Sequence, residues 1–150
     1  MKYLLDTDAL SASRRPDLAH PGIVRWLALQ EPYALHISAI TVFEIEFGAS
    51  LKERTDPAQG ARLRRWIDEV LRVFGDRILP VDHEVASIAA GYHVPDPGPE
   101  RDAFIAATAE VAGLIVVTRN TRDFARFDVP LCNPWDTGML TESGRAVLRG

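Results

Sequence analysis

Short apolar segments alternate with longer amphipathic segments along most of the chain, which predicts β-strands alternating with α-helices. The clearest strand covers residues 114–118, because its β-branched residues are apolar on both faces, as in a parallel sheet covered by helices. Three more strands are predicted at residues 3–5, 34–37 and 78–81. Helical spacing, capping residues and helix breakers predict helices over residues 21–30, 39–54, 58–74, 83–92 and 100–112.

This order of elements indicates one three-layer α/β domain, with a central, mainly parallel sheet flanked by α-helices. Residues 94–99 contain three prolines and a glycine and are expected to form a loop. Residues 136–150 show no strong pattern, so we expect a tail or a loose helix there. In sheets of this kind, ligands bind at the carboxyl ends of the strands.

The composition fits an ordinary globular domain. The chain has 150 residues, of which 47% are hydrophobic and 25% charged, enough to bury a single core. No apolar run approaches the roughly 18–20 residues that span a bilayer, and the first residues lack the pattern of a secretion signal. The single cysteine, Cys132, excludes an intrachain disulfide, so we expect a reduced, cytoplasmic setting.

The net charge of −4 argues mildly against a nucleic-acid partner, since such proteins are more often basic. The arginines are nevertheless grouped, after the first strand, on one predicted helix and late in the chain. They are Arg14 and Arg15, then Arg62, Arg64, Arg65 and Arg72, and then Arg119, Arg122 and Arg126. These groups either flank an acidic pocket or form ordinary solvated helix faces, and the sequence leaves both interpretations open.

Glu44 is the most informative acidic residue. On a helical wheel with roughly 100° per residue, it falls inside the apolar stripe of Ile40, Phe47 and Leu51. Burying an unpaired carboxylate costs several kcal/mol. A metal ion or an ion pair with an arginine is therefore expected beside Glu44.

Three other acids stand near strand ends or helix starts. Asp6 ends a buried strand, Asp102 opens a helix of small apolar residues, and Asp123 follows the strand at residues 114–118. Each has a structural alternative. Asp6 and Asp123 suit helix caps, and a charge at Asp102 is favoured by the helix dipole. Asp8 is either the cap itself or a hydrogen-bonding partner of Asp6.

Together the four acids indicate a metal site, because residues at the carboxyl ends of parallel strands converge on one edge of the sheet. Clustered carboxylates repel and raise one another's pKa unless a cation neutralises them. Oxygen ligands suit Mg²⁺ or Mn²⁺, and this arrangement serves metal-assisted phosphodiester hydrolysis. The four histidines lack zinc-site spacing, and no glycine-rich phosphate loop is present.

Six segments, in chain order, resemble the VapC-like PIN-domain ribonuclease toxins of type II toxin–antitoxin systems. They are LLDTD at 4–8, SAITVFEIEFG at 38–48, RILPVD at 77–82, DAFIAATA at 102–109, VTRNTRDF at 117–124 and NPW at 133–135. Jointly these motifs are highly specific. The resemblance implies a PIN fold over residues 1–135, followed by a C-terminal tail at 136–150.

The resemblance also implies a Mg²⁺- or Mn²⁺-dependent endoribonuclease. Asp6 and Asp102 would be direct metal ligands, and Glu44 and Asp123 would bind through water or position the attacking water. The residues expected to contact substrate are Thr7, Ser38, Thr118, Arg119 and Asn120.

The partners implied are an RNA substrate, a cognate antitoxin whose tail enters the active-site groove, and a second copy of the chain. Homodimers and heterotetramers or larger assemblies with the antitoxin are expected, and no membrane. Two alternatives remain open, a catalytically silent PIN module that binds RNA or protein, and a metal-dependent phosphoesterase acting on DNA. The chain departs from the family at Asp8, where asparagine is usual, and in a shorter loop at residues 93–101.

Overall fold

The structure, a computed structural model, describes residues 1–136 and the backbone of Met139–Glu142 and Arg145–Val147. The strands are β1 Tyr3–Leu5, β2 Leu35–Ser38, β3 Ile78–Leu79, β4 Ile115–Val117, β5 Pro130–Asn133, β6 Met139–Glu142 and β7 Arg145–Val147. The helices are α1 Thr7–Ala12, α2 Pro21–Ala28, α3 Ala39–Thr55, α4 Pro57–Phe74, α5 His83–Tyr92, α6 Glu100–Ala112 and α7 Thr121–Phe124.

The described strands form one sheet in the order β3-β2-β1-β4-β5-β6-β7. The first five strands of this order are parallel, and β6 and β7 extend the sheet in antiparallel fashion. Strand β1, at the centre of the five parallel strands, has β2 on one side and β4 on the other, with Leu5 in register with both Ile37 and Val117. The carboxyl ends of three strands therefore lie side by side where the strand order reverses direction.

Two apolar cores cover the two faces of the sheet. Tyr3 and Leu5 of β1 pack with buried residues of α1 to α4, whereas Leu4 packs with buried residues of α5 and α6. This alternation follows from the two-residue period of a strand. The predicted three-layer α/β fold is confirmed, and within the described residues no helix is long and apolar enough to cross a membrane.

Three of the capping residues that predicted helix ends also cap those helices in the structure. The Ser38 side chain accepts a hydrogen bond from the Ile40 N–H, and the Asp82 side chain accepts one from the Val85 N–H. The α6 helix ends at Gly113, which adopts the left-handed conformation. These three ends follow the local chemistry of helix caps.

One sequence-based expectation about α3 is wrong. The face of α3 that enters the core carries Thr41, Ile45 and Ala49, whereas Phe47 and Leu51 of the predicted buried stripe are half-exposed. Apolar residues lie on every side of this helix, so its hydrophobic pattern does not single out one face. Glu44 therefore lies at the edge of the core and not within a buried apolar stripe.

The C-terminal segment also differs from its expectation. Residues 139–142 and 145–147 are strands that continue the sheet from β5, not a loose helix. The rest of the predicted tail, residues 137–138, 143–144 and 148–150, lies outside the described residues. The domain boundary at residue 135 stays a prediction.

The left-handed Gly113 gives a test of the α6 terminus. Its φ is 69°, and a Cβ placed there would meet nothing within 4 Å, so only the backbone conformation opposes a side chain. We expect Gly113→Ala to lower the free energy of unfolding by about 1–2 kcal/mol, measured by urea denaturation. The matched control is Gly91→Ala inside α5, where a Cβ also meets nothing. In that variant the free energy of unfolding should rise by about 0.5 kcal/mol. An equal decrease in both variants would contradict the explanation.

Candidate active site

The candidate site lies at the carboxyl edge of the sheet, at the ends of β1, β2 and β4. Asp6 follows β1 directly, Ser38 ends β2, and Thr118 follows β4. The Asp6 N–H donates a hydrogen bond to the Val117 carbonyl at 3.0 Å, and this bond joins the ends of β1 and β4. In open parallel sheets, the edge where the strand order reverses is where ligands bind.

Asp6 is buried, with 5% of its surface exposed, and forms the N-cap of α1. Its Oδ1 accepts a hydrogen bond from the Ala9 N–H at 2.8 Å. Burial raises the pKa of the Asp6 carboxyl to about 7, with smaller increases from the charges of Asp8 and Asp102. Hydrogen bonds from Thr118 and the Ala9 N–H oppose this rise without cancelling it. The capping alternative for Asp6 is thus correct, and the same carboxyl also belongs to a cluster of acids.

Asp102 connects the acids to one another. It lies half-buried in the first turn of α6, and burial is the largest cause of its raised pKa. The charges of Glu44, Asp123 and Asp8 raise this pKa further. Such electrostatic effects on a pKa require proximity. The structure therefore brings the carboxyl groups of five acids near one another, namely Asp6 after β1, Asp8 of α1, Glu44 of α3, Asp102 of α6 and Asp123 of α7.

Glu44 is held by contacts from two other helices. The Thr7 hydroxyl of α1 donates to Glu44 Oε1 at 2.7 Å, and Arg101 Nη1 of α6 lies 3.7 Å from Glu44 Oε2. About a quarter of the Glu44 side chain is exposed. The alternative of a pairing with an arginine is therefore present in the structure, at a long distance and in a partly solvated place.

Asp8 and Arg119 form a second pair at the rim, with Arg119 Nε 3.3 Å from Asp8 Oδ2. The cap of α1 is Asp6, so Asp8 is not the cap. The side chain of Asp8 accepts a hydrogen bond from Arg119, in the segment after β4, and not from Asp6. Asn120 donates its backbone N–H to the Thr118 hydroxyl at 2.9 Å. Asp123 lies exposed inside α7, so it is not the cap of that helix.

The residues predicted to contact substrate fall into two groups. Thr7, Arg119 and Asn120 are partly or fully accessible at the mouth of the site. Ser38 and Thr118 are completely buried. The Ser38 hydroxyl accepts a hydrogen bond from the Ile40 N–H of α3, and the Thr118 hydroxyl accepts one from the Asn120 N–H. Contact between any of these five residues and substrate stays a prediction.

Sequence reasoning did not single out Thr41 and Arg101. Thr41 is completely buried, with its hydroxyl 3.3 Å from that of Thr7. The Arg101 guanidinium lies 5.0 Å from the ring centre of Phe43 and 5.8 Å from that of Phe47. The position of Arg101 directly before Asp102 was the available signal, whereas nothing in the sequence marks Thr41.

The donor set is composed of oxygen atoms, as hard divalent cations prefer. Within the described part of the chain, no three Asp, Glu, His or Cys side chains are arranged to hold one ion. Mg²⁺ typically binds one or two protein carboxylates and keeps several water ligands. The acids fit such a water-rich site and do not fit a closed site made of protein ligands alone.

Residues 3–130 match the PIN domain family, and the chain belongs to this family. Two curated relatives are similar to it. It is 36% identical to toxin FitB of Neisseria gonorrhoeae (strain ATCC 700825 / FA 1090) over 137 residues, which cover 88% of this chain and 97% of FitB. It is 47% identical to ribonuclease VapC14 of Mycobacterium tuberculosis (strain CDC 1551 / Oshkosh) over 75 residues, 49% of this chain and 72% of that protein.

A solved structure shows the same fold. The crystal structure of FitAcB from Neisseria gonorrhoeae superposes with a TM-score of 0.81 and 34% sequence identity. The match covers 89% of this chain and 99% of the other. The resemblance that the sequence motifs indicate is confirmed.

The raised pKa of Asp6 predicts a pH dependence of stability. Between about pH 4 and pH 7, the folded chain binds a proton at Asp6 that the unfolded chain has released. The metal-free chain should therefore lose stability as the pH rises through this window. Asp6→Asn keeps a capping oxygen but does not titrate. In EDTA it should match the parent near pH 4 and exceed it by a few kcal/mol at pH 8.

The measurement is urea denaturation at both pH values. Asp68→Asn, at an exposed position of α4, is the control and should leave the difference between the two pH values unchanged. An Asp6→Asn variant that is less stable than the parent at pH 8 would contradict the burial of a costly charge.

The partly solvated position of Glu44 predicts that Glu44→Gln changes the free energy of unfolding by less than about 1 kcal/mol. The glutamine amide oxygen still accepts from Thr7, and only the long ion pair with Arg101 is lost. A double-mutant cycle with Arg101→Gln, followed by urea denaturation, measures the coupling. A loss above about 3 kcal/mol in Glu44→Gln would instead indicate a buried, structural ion pair.

Proposed function

We propose that this chain is a metal-dependent endoribonuclease that acts as the toxin of a toxin–antitoxin pair. The observation that carries the proposal is the electrostatic coupling of Asp102 to Glu44, Asp123 and Asp8 at the carboxyl edge of the sheet. Neighbouring negative charges that raise the pKa of Asp102 would be neutralised by a bound cation. The relatives named ribonuclease VapC14 and toxin FitB support RNA as the substrate and the role of a toxin.

The proposed cation is Mg²⁺ or Mn²⁺. Asp6 and Asp102 would hold it directly, with Glu44 and Asp123 acting through water, in keeping with the oxygen-only donor set. When bound, such an ion lowers the pKa of a water molecule and stabilises negative charge on a leaving oxygen.

Contacts within the chain position two of these acids, Asp6 and Glu44. The Ala9 N–H and the Thr118 side chain hold the Asp6 carboxyl, and the Thr7 hydroxyl holds one oxygen of Glu44. The other oxygen of Glu44 lies 3.7 Å from Arg101 Nη1, and about a quarter of the Glu44 side chain is exposed. In the proposed reaction, Glu44 orients the attacking water toward the scissile phosphate.

Residues at the mouth of the site would bind the nucleic acid. Arg119 is more than half exposed and is held in place by Asp8 and by the ring of Trp135, whose centre lies 5.9 Å from the guanidinium. Asn120 is exposed beside it. We assign both to the phosphates or bases next to the cleaved bond.

The proposed protein partner is an antitoxin. FitB, whose curated name is toxin, is similar over most of this chain, and a structure named FitAcB has the same fold. A segment with a cationic side chain directed at the carboxylates would neutralise the same charges as a metal ion. Such a segment would block the site, and homodimers or heterotetramers would bring two sites into one assembly.

The test is cleavage of single-stranded RNA by the purified chain. We expect activity with Mg²⁺ or Mn²⁺, no activity in EDTA, and no activity on DNA of the same sequence. Asp6→Asn and Asp102→Asn should each lower the rate by at least about a hundredfold, since even residues behind metal ligands cost 10- to 100-fold. Growth inhibition on expression should be lost in parallel.

Asp68→Asn removes the same charge from an exposed place on α4 and should keep full activity. Binding of RNA without cleavage would favour the silent module. Cleavage of DNA at a comparable rate would favour the phosphoesterase. Full activity of a folded Asp6→Asn variant would exclude the assigned role of that residue.

A further inference from the structure

The arginine directly before Asp102 lies on an aromatic surface. Phe43 and Phe47 are one turn apart on α3, and their rings stack with centres 6.0 Å apart and planes inclined by 19°. The Arg101 guanidinium lies 5.0 Å from the centre of the Phe43 ring and 5.8 Å from that of Phe47. The π electrons of the rings attract the guanidinium. The two rings therefore hold the charge of Arg101 beside the acids.

The N–H groups of Arg101 are unused by the chain. Nη1 lies 3.7 Å from Glu44 Oε2, which is too far for a hydrogen bond. Within the described part of the chain, Arg101 donates no hydrogen bond, and its side chain is about half exposed. Arg119, by contrast, donates from Nε to Asp8. The guanidinium of Arg101 thus offers its donors to a ligand at the acids.

Arg101 and Asp102 are consecutive residues in the first turn of α6, and both side chains lie beside Glu44. Arg101 forms the long ion pair with Glu44, and the charge of Glu44 raises the pKa of Asp102. One turn of helix therefore places a cation next to a proposed metal ligand. A phosphate that reaches Asp102 through a bound ion also comes within reach of Arg101.

The contact of Arg101 with Glu44 does not by itself explain this arrangement. Both partners are partly solvated, and exposed ion pairs contribute little to stability. Phe43 and Phe47 are also half exposed, so their rings are incompletely used in the core. The planar guanidinium matches the oxygens of a phosphate in a bidentate contact. An anion of this kind satisfies donors that the chain leaves free.

We infer that Arg101 binds the scissile phosphate of the RNA and stabilises negative charge on its non-bridging oxygens during cleavage. The inference rests on the proposed function and adds to it a cation supplied by the chain itself. In the hydrolysis, the water oxygen forms a bond to phosphorus, and the bond from phosphorus to the leaving oxygen breaks. The leaving oxygen takes the electron pair of that bond and a proton from the water. Arg101 keeps its protons, and as a preorganised donor it favours the transition state.

The test compares Arg101→Gln with Arg65→Gln, which removes the same charge from an exposed position of α4. Cleavage of a labelled single-stranded RNA with Mg²⁺ is measured in single turnover at saturating protein. Arg101→Gln should lower the rate by about a hundredfold, as the loss of one preorganised donor does. Arg65→Gln should cleave as the parent does. Urea denaturation and gel filtration should show that both variants keep the fold and the assembly of the parent.

Two further variants separate the bidentate contact from charge alone. Arg101→Lys keeps the charge but loses the planar fork, so its rate should stay at least about tenfold below that of the parent. Phe43→Leu/Phe47→Leu keeps an apolar surface without aromatic faces, and its rate should fall less than that of Arg101→Gln. Full activity of either Arg101 variant would overturn the inference, in the case of lysine because any positive charge beside Glu44 would then suffice.

A binding measurement keeps this test separate from the test of cleavage. Anisotropy of a fluorescent single-stranded RNA is followed in Ca²⁺, which also takes oxygen ligands, and a gel checks that the strand is intact. The slope of the salt dependence should fall by about 0.7 in Arg101→Gln, the value for one phosphate contact of a single strand. It should not change in Arg65→Gln, and equal slopes in the two variants would overturn the inference. A parent chain that binds RNA through Arg101 but cleaves none keeps the phosphate contact and loses the proposed activity.

Discussion

The structure depends on a carboxyl group buried where two parallel strands end. Asp6 follows the central strand β1, caps α1 through the Ala9 N–H and receives a hydrogen bond from Thr118 beyond β4. These contacts oppose the cost of burial only in part, because the pKa of Asp6 is still raised to about 7. The same residue therefore organises the strand end and carries a carboxyl group whose charged form is costly without a neutralising partner.

The surrounding charges are arranged in pairs that limit this cost without removing it. Arg101 faces Glu44 from α6, and Arg119 faces Asp8 from the segment after β4. Both arginines are about half exposed, so each contact is weakened by solvent. Asp6 and Asp102 have no such cation beside them among the causes that set their pKa values. The two carboxyl groups whose pKa is raised are thus the two proposed as direct metal ligands.

Much of the fold was predictable because local chemistry and tertiary structure agree. Ser38 and Asp82 cap the helices that the sequence predicted, and Gly113 ends α6 in the one conformation that favours glycine. The α1 helix was missed because six residues are too few for a helical period to emerge. The buried face of α3 was misjudged because it carries Thr41 and Ala49, which hydrophobicity alone does not rank above the half-exposed Phe47.

The candidate site was predictable in its acids but not in its contacts. The rule that strand ends converge on one edge brings Asp6, Glu44 and Asp102 together from distant parts of the sequence. That rule says nothing about which helix faces meet, so the bond from Thr7 to Glu44 required the structure. Strands β6 and β7 also determine what the edge of the sheet offers to other chains. Beyond β5, the sheet continues through β6 to β7, and its outermost described strands, β3 and β7, have only two and three residues. Edges this short give another chain little backbone to pair with, which protects against sheet-to-sheet aggregation and leaves helix faces and clefts for association.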